Sequence, residues 1–205
     1  MKIGVFASHE GTTLQAVLDA CAQQRLSAQV ALVISNNSAS GALRRARIAH
    51  VPTLHVSGTT HPNPTERDLA LRDALLSAEV DVVLLAGFMK KLGPSTLDAF
   101  AGRILNTHPA LLPKFGGPGM FGSHVHRAVL ASGDEVSGAC VHLVEGEYDT
   151  GRVIGQVRVD VAKDDGVETL AQRVQAAERE LVIDVLQQFT QNRWFLPSVP
   201  DTEGP

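Results

Sequence analysis

Asn106 and His108 are the side chains of this sequence whose types and spacing most directly suggest chemistry. They close a short apolar run, Ile104-Leu105-Asn106-Thr107-His108-Pro109. Proline has no amide hydrogen to give to a sheet ladder, so Pro109 ends the strand. Side chains alternate along a strand, which puts Asn106 and His108 on one face. A neutral amide then stands beside an imidazole at a strand end. That pairing suits attack on a carbonyl: the amide donates to the developing oxyanion and the imidazole moves protons near neutral pH. The alternative is a capped strand whose histidine bonds only to backbone.

Four other segments carry chemistry-bearing residues. Ser8-His9-Glu10-Gly11-Thr12-Thr13 lies between a strand and a helix. Gly11 can take positive φ, and free amides at a helix start suit a phosphate. The segment is neither a dinucleotide fingerprint nor a P-loop. Leu85-Ala86-Gly87-Phe88-Met89-Lys90-Lys91-Leu92 ends a buried strand, where Phe88 and Met89 can wall a flat ligand or simply fill the core. In Glu145-Gly146-Glu147-Tyr148-Asp149-Thr150-Gly151, Asp149 can pair with His108 and raise its pKa, or can be an ordinary turn residue. His124 and His126, two apart on a helix, do not share a face, so no metal set forms there. His142 is read as a hydrogen-bonded interior histidine.

These residues need a scaffold. Short apolar runs at Ile3–Ala7, Val30–Ser35, Pro52–Val56, Val80–Ala86 and Arg103–Asn106 alternate with amphipathic ones at Thr13–Gln24, Ser40–His50, 63–78 and 93–100. The rhythm predicts an α/β fold, a mostly parallel sheet with helices on both faces. Ligands in such sheets bind at the carboxyl ends of strands. Lys114–Ser123, with four glycines, predicts a mobile loop. Then come a helix over His124–Ser132, an antiparallel strand pair at Gly138–Val144 and Val153–Val161, and a long helix over Val167–Gln188. A single domain over residues 1–190 and an irregular tail over 191–205 are expected.

Composition narrows the function. The 205 residues are 44% hydrophobic and carry a net charge of −4, which gives no reason to expect nucleic acid or a membrane surface as partner. Arg44-Arg45 reads as solvated surface charge. Cys21 and Cys140 read as buried free thiols, and no metal-type cysteine spacing occurs. The first residues form too short an apolar run for a signal peptide, so a cytoplasmic location is expected.

Taken together, the segments resemble the folate-dependent formyltransferases from Met1 to about residue 190. The Gly11 loop, Leu85–Met89, Asn106-x-His108-Pro109 with Leu111-Leu112-Pro113, His124-x-His126, and Val141-His142 leading to Asp149-x-Gly151 stand in family order. The resemblance implies a Rossmann-like fold and 10-formyltetrahydrofolate as co-substrate, with no metal. The formyl group would pass to the glycinamide amine of 5'-phosphoribosylglycinamide (GAR), in purine biosynthesis. It implies catalytic roles for Asn106 (formyl oxygen), His108 (proton donor) and Asp149 (raising the His108 pKa and helping a proton move). Gly11, Thr12, Thr13, Gln175 and Glu178 would hold GAR. Asn106, Met89, Lys90, Lys91, Leu92, Glu145, Gly146, Glu147 and Tyr148 would hold folate, largely through backbone. A monomer or weak homodimer is expected.

The sequence departs from the family pattern in three places. The phosphate loop reads His9-Glu10-Gly11-Thr12-Thr13, where relatives usually have a Gly-Asn-Gly-Ser-Asn type of loop. Pro64 stands where an arginine is often found, with Arg67 close by, and Cys140 stands where Ser or Thr is commoner. A 10-formyltetrahydrofolate hydrolase or a sugar-nucleotide N-formyltransferase is the alternative. Hydrolases of this kind carry an extra N-terminal regulatory domain, and methionyl-tRNA formylation calls for an added C-terminal domain and a more basic surface.

Overall fold

A computed structural model describes residues 1–191. The tail expected to be irregular falls almost wholly outside the described residues. Seven strands form one sheet in the order β3-β2-β1-β4-β5-β6-β7. They are β1 Lys2–Phe6, β2 Gln29–Ser35, β3 Thr53–His55, β4 Val82–Leu85, β5 Ile104–His108, β6 Val136–Leu143 and β7 Val153–Asp160. The first five run parallel. β6 is antiparallel to β5, and β7 to β6. The expected sheet, with its antiparallel addition, is therefore present. All four residues of β4 are buried, as its unbroken apolar run requires of a strand covered on both faces.

The chain steps outward from β1 to β2 and β3, then returns to β4 on the other side of β1. That reversal opens a crevice at the carboxyl ends of β1 and β4, the usual place for a ligand in such sheets. Helices α1 (Thr12–Ala22), α2 (Gly41–Ile48) and α6 (Val167–Thr190) cover one face around Leu14, Val17, Leu43, Leu105, Val141 and Val182. On the other face, α3 (Pro64–Ser77) and α4 (Pro94–Ala99) flank Phe6, Leu71, Leu85, Phe100 and Ile104. Local sequence starts these helices. Ser40 caps α2 through Leu43 N, and Asn63 caps α3 ahead of Pro64.

Element boundaries differ from expectation by one or two residues, and two of these shifts bear on the site. β5 runs on to His108, because β6 supplies partners for Thr107 and His108, and β6 starts two residues early at Val136. Cys21 is half-buried, at the α1 surface, whereas Cys140 is fully buried; both are free thiols. Helix α5 (Ser123–Ser132) packs beside α6. Among the described residues, no helix is long and apolar enough to cross a membrane.

Candidate active site

Alternation along β5 sorts the site into two sides. Asn106 and His108 face the α3/α4 side, and Thr107 faces α6. Pairing with β6 sets Asn106 opposite His142, and His108 opposite Cys140. The turn between β6 and β7 then carries Asp149 back over Asn106, His108 and His142. Asp149 has φ 55, a left-handed conformation that aspartate tolerates better than most residues.

The hydrogen bonds assign the protons. His108 Nε2 lies 2.7 Å from the Phe115 carbonyl, which can only accept, so Nε2 carries the hydrogen. Nδ1 is left facing Asp149 Oδ2 at 3.5 Å. His142 Nδ1 donates to the Leu143 carbonyl at 2.8 Å, and Nε2 accepts from Asn106 Nδ2 at 3.1 Å. The other Asn106 amide hydrogen has only a 3.5 Å contact with Asp149, and it is the one available to an incoming oxyanion. Asp149 Oδ2 also accepts from Gly117 N at 2.9 Å. The start of the glycine-rich loop is thus tied to the site at Phe115 and Gly117.

Burial changes the expected electrostatics of His108. The ring is 3% exposed, and desolvation outweighs the opposing pull of Asp149 and of the Phe115 carbonyl. Its pKa is lowered, not raised, and the resting imidazole is neutral at pH 7. Asp149 still acts in the expected direction, but it does not win. For Asp149 itself burial pushes the pKa up. The contact with His142, the Gly117 N–H and the proximity of His108 together carry it below the ordinary carboxylate value.

On the other side of β5, Thr13 Oγ1 donates to Glu178 Oε1 at 3.2 Å. Glu178 is 8% exposed and also takes a hydrogen bond from Thr107. Burial raises its pKa, more than Thr13, Thr107 and Arg179 lower it. A carboxyl with a raised folded pKa favours folding at acid pH and loses that contribution as pH rises through the folded value. Glu178→Gln is therefore expected to melt higher than the parent, by an advantage that grows as pH rises above the ordinary glutamate value. Each kcal/mol relieved is worth about 2–4 °C in a chain of this size. A melting advantage that shrinks with pH would contradict the assignment. Gln175, one turn earlier on α6, is exposed and is not among these partners.

Gly11 caps α1 with φ 70, and a Cβ there would stand 2.7 Å from Ala42 Cα, so only glycine fits. Thr12 is exposed beside it. Arg44 is the solvated surface charge expected, 68% exposed, whereas Arg45 is tied down. Arg44 pairs with the Glu10 carboxylate at 3.6 Å, and Arg45 Nε donates to the Glu10 carbonyl at 2.8 Å. The unexpected negative charge of the loop is thereby offset by α2. Ser8, buried, joins the two crevice loops: its hydroxyl donates to Asn36 Oδ1 at 2.5 Å and accepts from Met89 N at 2.9 Å.

On the α3/α4 side, Met89, Lys90 and Lys91 are exposed, while the Leu92 side chain is part of the core, so Leu92 can meet a ligand only through its backbone. Glu145, Glu147 and Tyr148 are exposed, and Gly146 takes φ 115. His124 stacks edge-on with Phe121, and His126 points elsewhere, buried with Nδ1 unpartnered. Among the described residues, no group of three or more His, Cys, Asp or Glu side chains is gathered for a metal.

The active contribution of His142 was not foreseen. Its type and apolar neighbours pointed to an interior histidine, which it is. Only the β5–β6 register, which sets His142 opposite Asn106, reveals that it holds the Asn106 amide.

Comparison with known proteins decides the family. Residues 1–186 match the formyl transferase family. The chain belongs to it. Formyl transferases similar to this one include the phosphoribosylglycinamide formyltransferase of Escherichia coli, 38% identical over 94% of this chain and 89% of that protein. The chloroplastic phosphoribosylglycinamide formyltransferase of Arabidopsis thaliana is 38% identical over 97% of this chain and 69% of its own length. Among solved structures, glycinamide ribonucleotide transformylase 1 from Symbiobacterium toebii superposes with a TM-score of 0.89 at 38% identity, covering 97% of this chain and 91% of that one.

Proposed function

We propose that this formyl transferase moves the formyl group of 10-formyltetrahydrofolate to the glycinamide amine of GAR, giving formyl-GAR and tetrahydrofolate in purine biosynthesis. The observation that carries this reading is the convergence at the end of β5. Asn106, His108 and Asp149 meet on one side, and Glu178 with the α1 start meets Thr107 on the other. The reacting carbon then lies between a folate side and an acceptor side.

The neutral amine of GAR attacks the formyl carbon, a C–N bond forms, and the carbonyl electron pair moves to oxygen. Asn106 Nδ2 donates its free hydrogen to that oxyanion. The former amine is now cationic. His108, neutral at rest, takes its excess proton on Nδ1 and is stabilised as imidazolium by Asp149. The same ring then gives the proton to N10 as the C–N10 bond breaks, which is the proton-donor role expected of His108. Gly11, Thr12 and Thr13 hold the phosphate at the α1 start, where free amides and the helix dipole favour an anion. Glu178 accepts from ribose hydroxyls and Gln175 lines the sugar-phosphate beside it. Met89–Leu92 and Glu145–Tyr148 flank the folate. The glycine-rich loop, anchored at Phe115 and Gly117, shields the intermediate from water. The reaction calls on no metal, nucleic acid or membrane. Residues 1–190 act as one formyltransferase domain, in the cytoplasm, as a monomer or weak homodimer.

Purified protein mixed with 10-formyltetrahydrofolate tests the reading. Folate turnover is expected only when GAR is added, with formyl-GAR formed in equal amount. Turnover without GAR identifies a hydrolase. Turnover that requires an amino-sugar nucleotide in place of GAR identifies a sugar-nucleotide N-formyltransferase.

A further inference from the structure

Ser8, just past the end of β1, has every polar atom committed to a neighbouring strand end. Its N–H donates to the Gly87 carbonyl at 3.1 Å, and its carbonyl accepts from Asn37 Nδ2 at 3.3 Å. Its hydroxyl donates to Asn36 Oδ1 and accepts from Met89 N. Two of these bonds bracket Phe88: the Gly87 carbonyl and the Met89 N–H both point at Ser8. A trans peptide carries its C=O and N–H on opposite sides, and both peptides flanking Phe88 are trans. The Phe88 N–H and the Phe88 C=O therefore both point away from Ser8. Because β4 lies between β1 and β5, that direction is the β5 side, where Leu85 is paired with Asn106. Among the described residues, neither of these two Phe88 groups has a hydrogen-bond partner. The Phe88 ring is spent on the core, T-shaped against Phe6 at 5.0 Å, so the backbone alone is offered. A donor and an acceptor on one side of one residue are half of a strand pair, and such groups normally find partners.

We propose that the Phe88 backbone is a subsite for the glycyl unit of the acceptor, and that Ser8 is the positioning residue that aims it. The inference rests on the acceptor reading above. The glycyl unit of GAR is itself one residue, with an amine and a carbonyl on either side of a single carbon. Extended, it matches Phe88 as one residue matches another in the hydrogen-bonded pair of an antiparallel ladder. The Phe88 N–H donates to the glycyl carbonyl, and the Phe88 carbonyl accepts from the amine. An amine that donates to a carbonyl keeps its lone pair free for the formyl carbon at Asn106. Its approach is then fixed by two bonds, which is the positioning that a bimolecular attack requires. Ser8 is 3% exposed, so it is too buried to meet the acceptor itself and acts through the two peptides that flank Phe88. The Phe6–Phe88 ring contact holds the same residue from below.

Equilibrium binding of three probes tests the subsite: GAR, ribose 5-phosphate, which lacks the glycinamide, and tetrahydrofolate. Ser8→Ala keeps the bond to Gly87 but frees the Met89 N–H, so the Phe88 carbonyl loses its aim. GAR is expected to bind about three- to tenfold more weakly, the span of one neutral hydrogen bond. Ribose 5-phosphate and tetrahydrofolate should each stay within about twofold of the parent. Asn36→Ala, which leaves the Ser8 hydroxyl without its acceptor, should weaken GAR in the same selective way but by less. The double variant should lose no more than Ser8→Ala alone, because Asn36 acts through Ser8. Equal weakening of GAR and ribose 5-phosphate by Ser8→Ala would show a merely structural role and overturn the subsite. Unchanged GAR binding, or a loss confined to tetrahydrofolate, would overturn it too. Should Ser8→Ala fail to fold, Asn36→Ala decides alone, by the presence or absence of a loss selective for GAR. If the unaltered protein does not bind GAR at all, the acceptor reading itself fails, and the subsite with it.

Discussion

His108→Ala is expected to lower kcat by about 10²–10⁴-fold, the usual contribution of a positioned acid–base group. The reason is geometric. Nε2 is committed to the Phe115 carbonyl, so the ring has one working nitrogen, Nδ1, which faces Asp149 and in the proposed mechanism carries the proton from the amine to N10. Alanine also leaves the Phe115 carbonyl without its donor, at a cost of about 1–3 kcal/mol in a buried place. His108→Gln is therefore the companion variant, since its amide can still donate there but cannot shuttle a proton at neutral pH. Both variants should lose kcat while keeping the far-ultraviolet circular dichroism of the parent. An interaction made chiefly in the transition state lowers kcat and kcat/KM together, so KM should move by less than about threefold. If either variant retains kcat within about tenfold of the parent, His108 is not the proton carrier.

Much of this site is legible from residue types because strand geometry is so regular. Alternation alone puts Asn106 and His108 together, and Pro109 marks the strand end near which they lie. The glycine at position 11 announces a tight turn before a helix, and the structure finds its Cβ space filled by Ala42. Strand order is a different matter. Nothing local in β1 says that β4 and not β3 will lie beside it, because the partner of a parallel strand is chosen by the packing of whole β-α-β units. That order is visible only in the folded sheet. The same limit hides His142, whose contact with Asn106 exists only in one register of β5 against β6. It also hides the sign of the His108 shift. A carboxylate neighbour is visible as a sequence possibility, but the degree of burial that outweighs it belongs to the folded packing. Arg45 likewise looks like solvated charge until α2 is seated on the Glu10 turn, while its neighbour Arg44 stays solvated. Leu92, in a ligand-facing loop, spends its side chain on the core beneath.

Asp149→Asn isolates the charge of the site from its shape. Asparagine tolerates the left-handed backbone at this position, and its oxygen can still accept from Gly117 N, so the turn should persist. Alanine would lose both advantages. What asparagine removes is the anion that stabilises the His108 imidazolium while the proton is in transit. The loss in kcat is expected to be about 10²–10³-fold, the range found when one preorganised electrostatic partner is removed. The pH profile separates this from misfolding. In the proposed mechanism catalysis begins with neutral His108, so kcat/KM is expected to fall as pH drops through the His108 pKa. That limb already lies below the ordinary imidazole value, because burial disfavours the cation. Asp149 pulls in the opposite direction, and without it the cation is disfavoured further, so the acid limb of the variant should move to still lower pH. Folding carries its own signature. The Asp149 pKa is depressed in the folded protein, so its contribution to stability is present above the ordinary aspartate value and is lost as pH falls through the folded one. The variant should melt with a shallower dependence on pH across that acid window. An acid limb that moves upward, or a plateau equal to that of the parent, would remove Asp149 from the proton path and leave it as a residue that only shapes the turn.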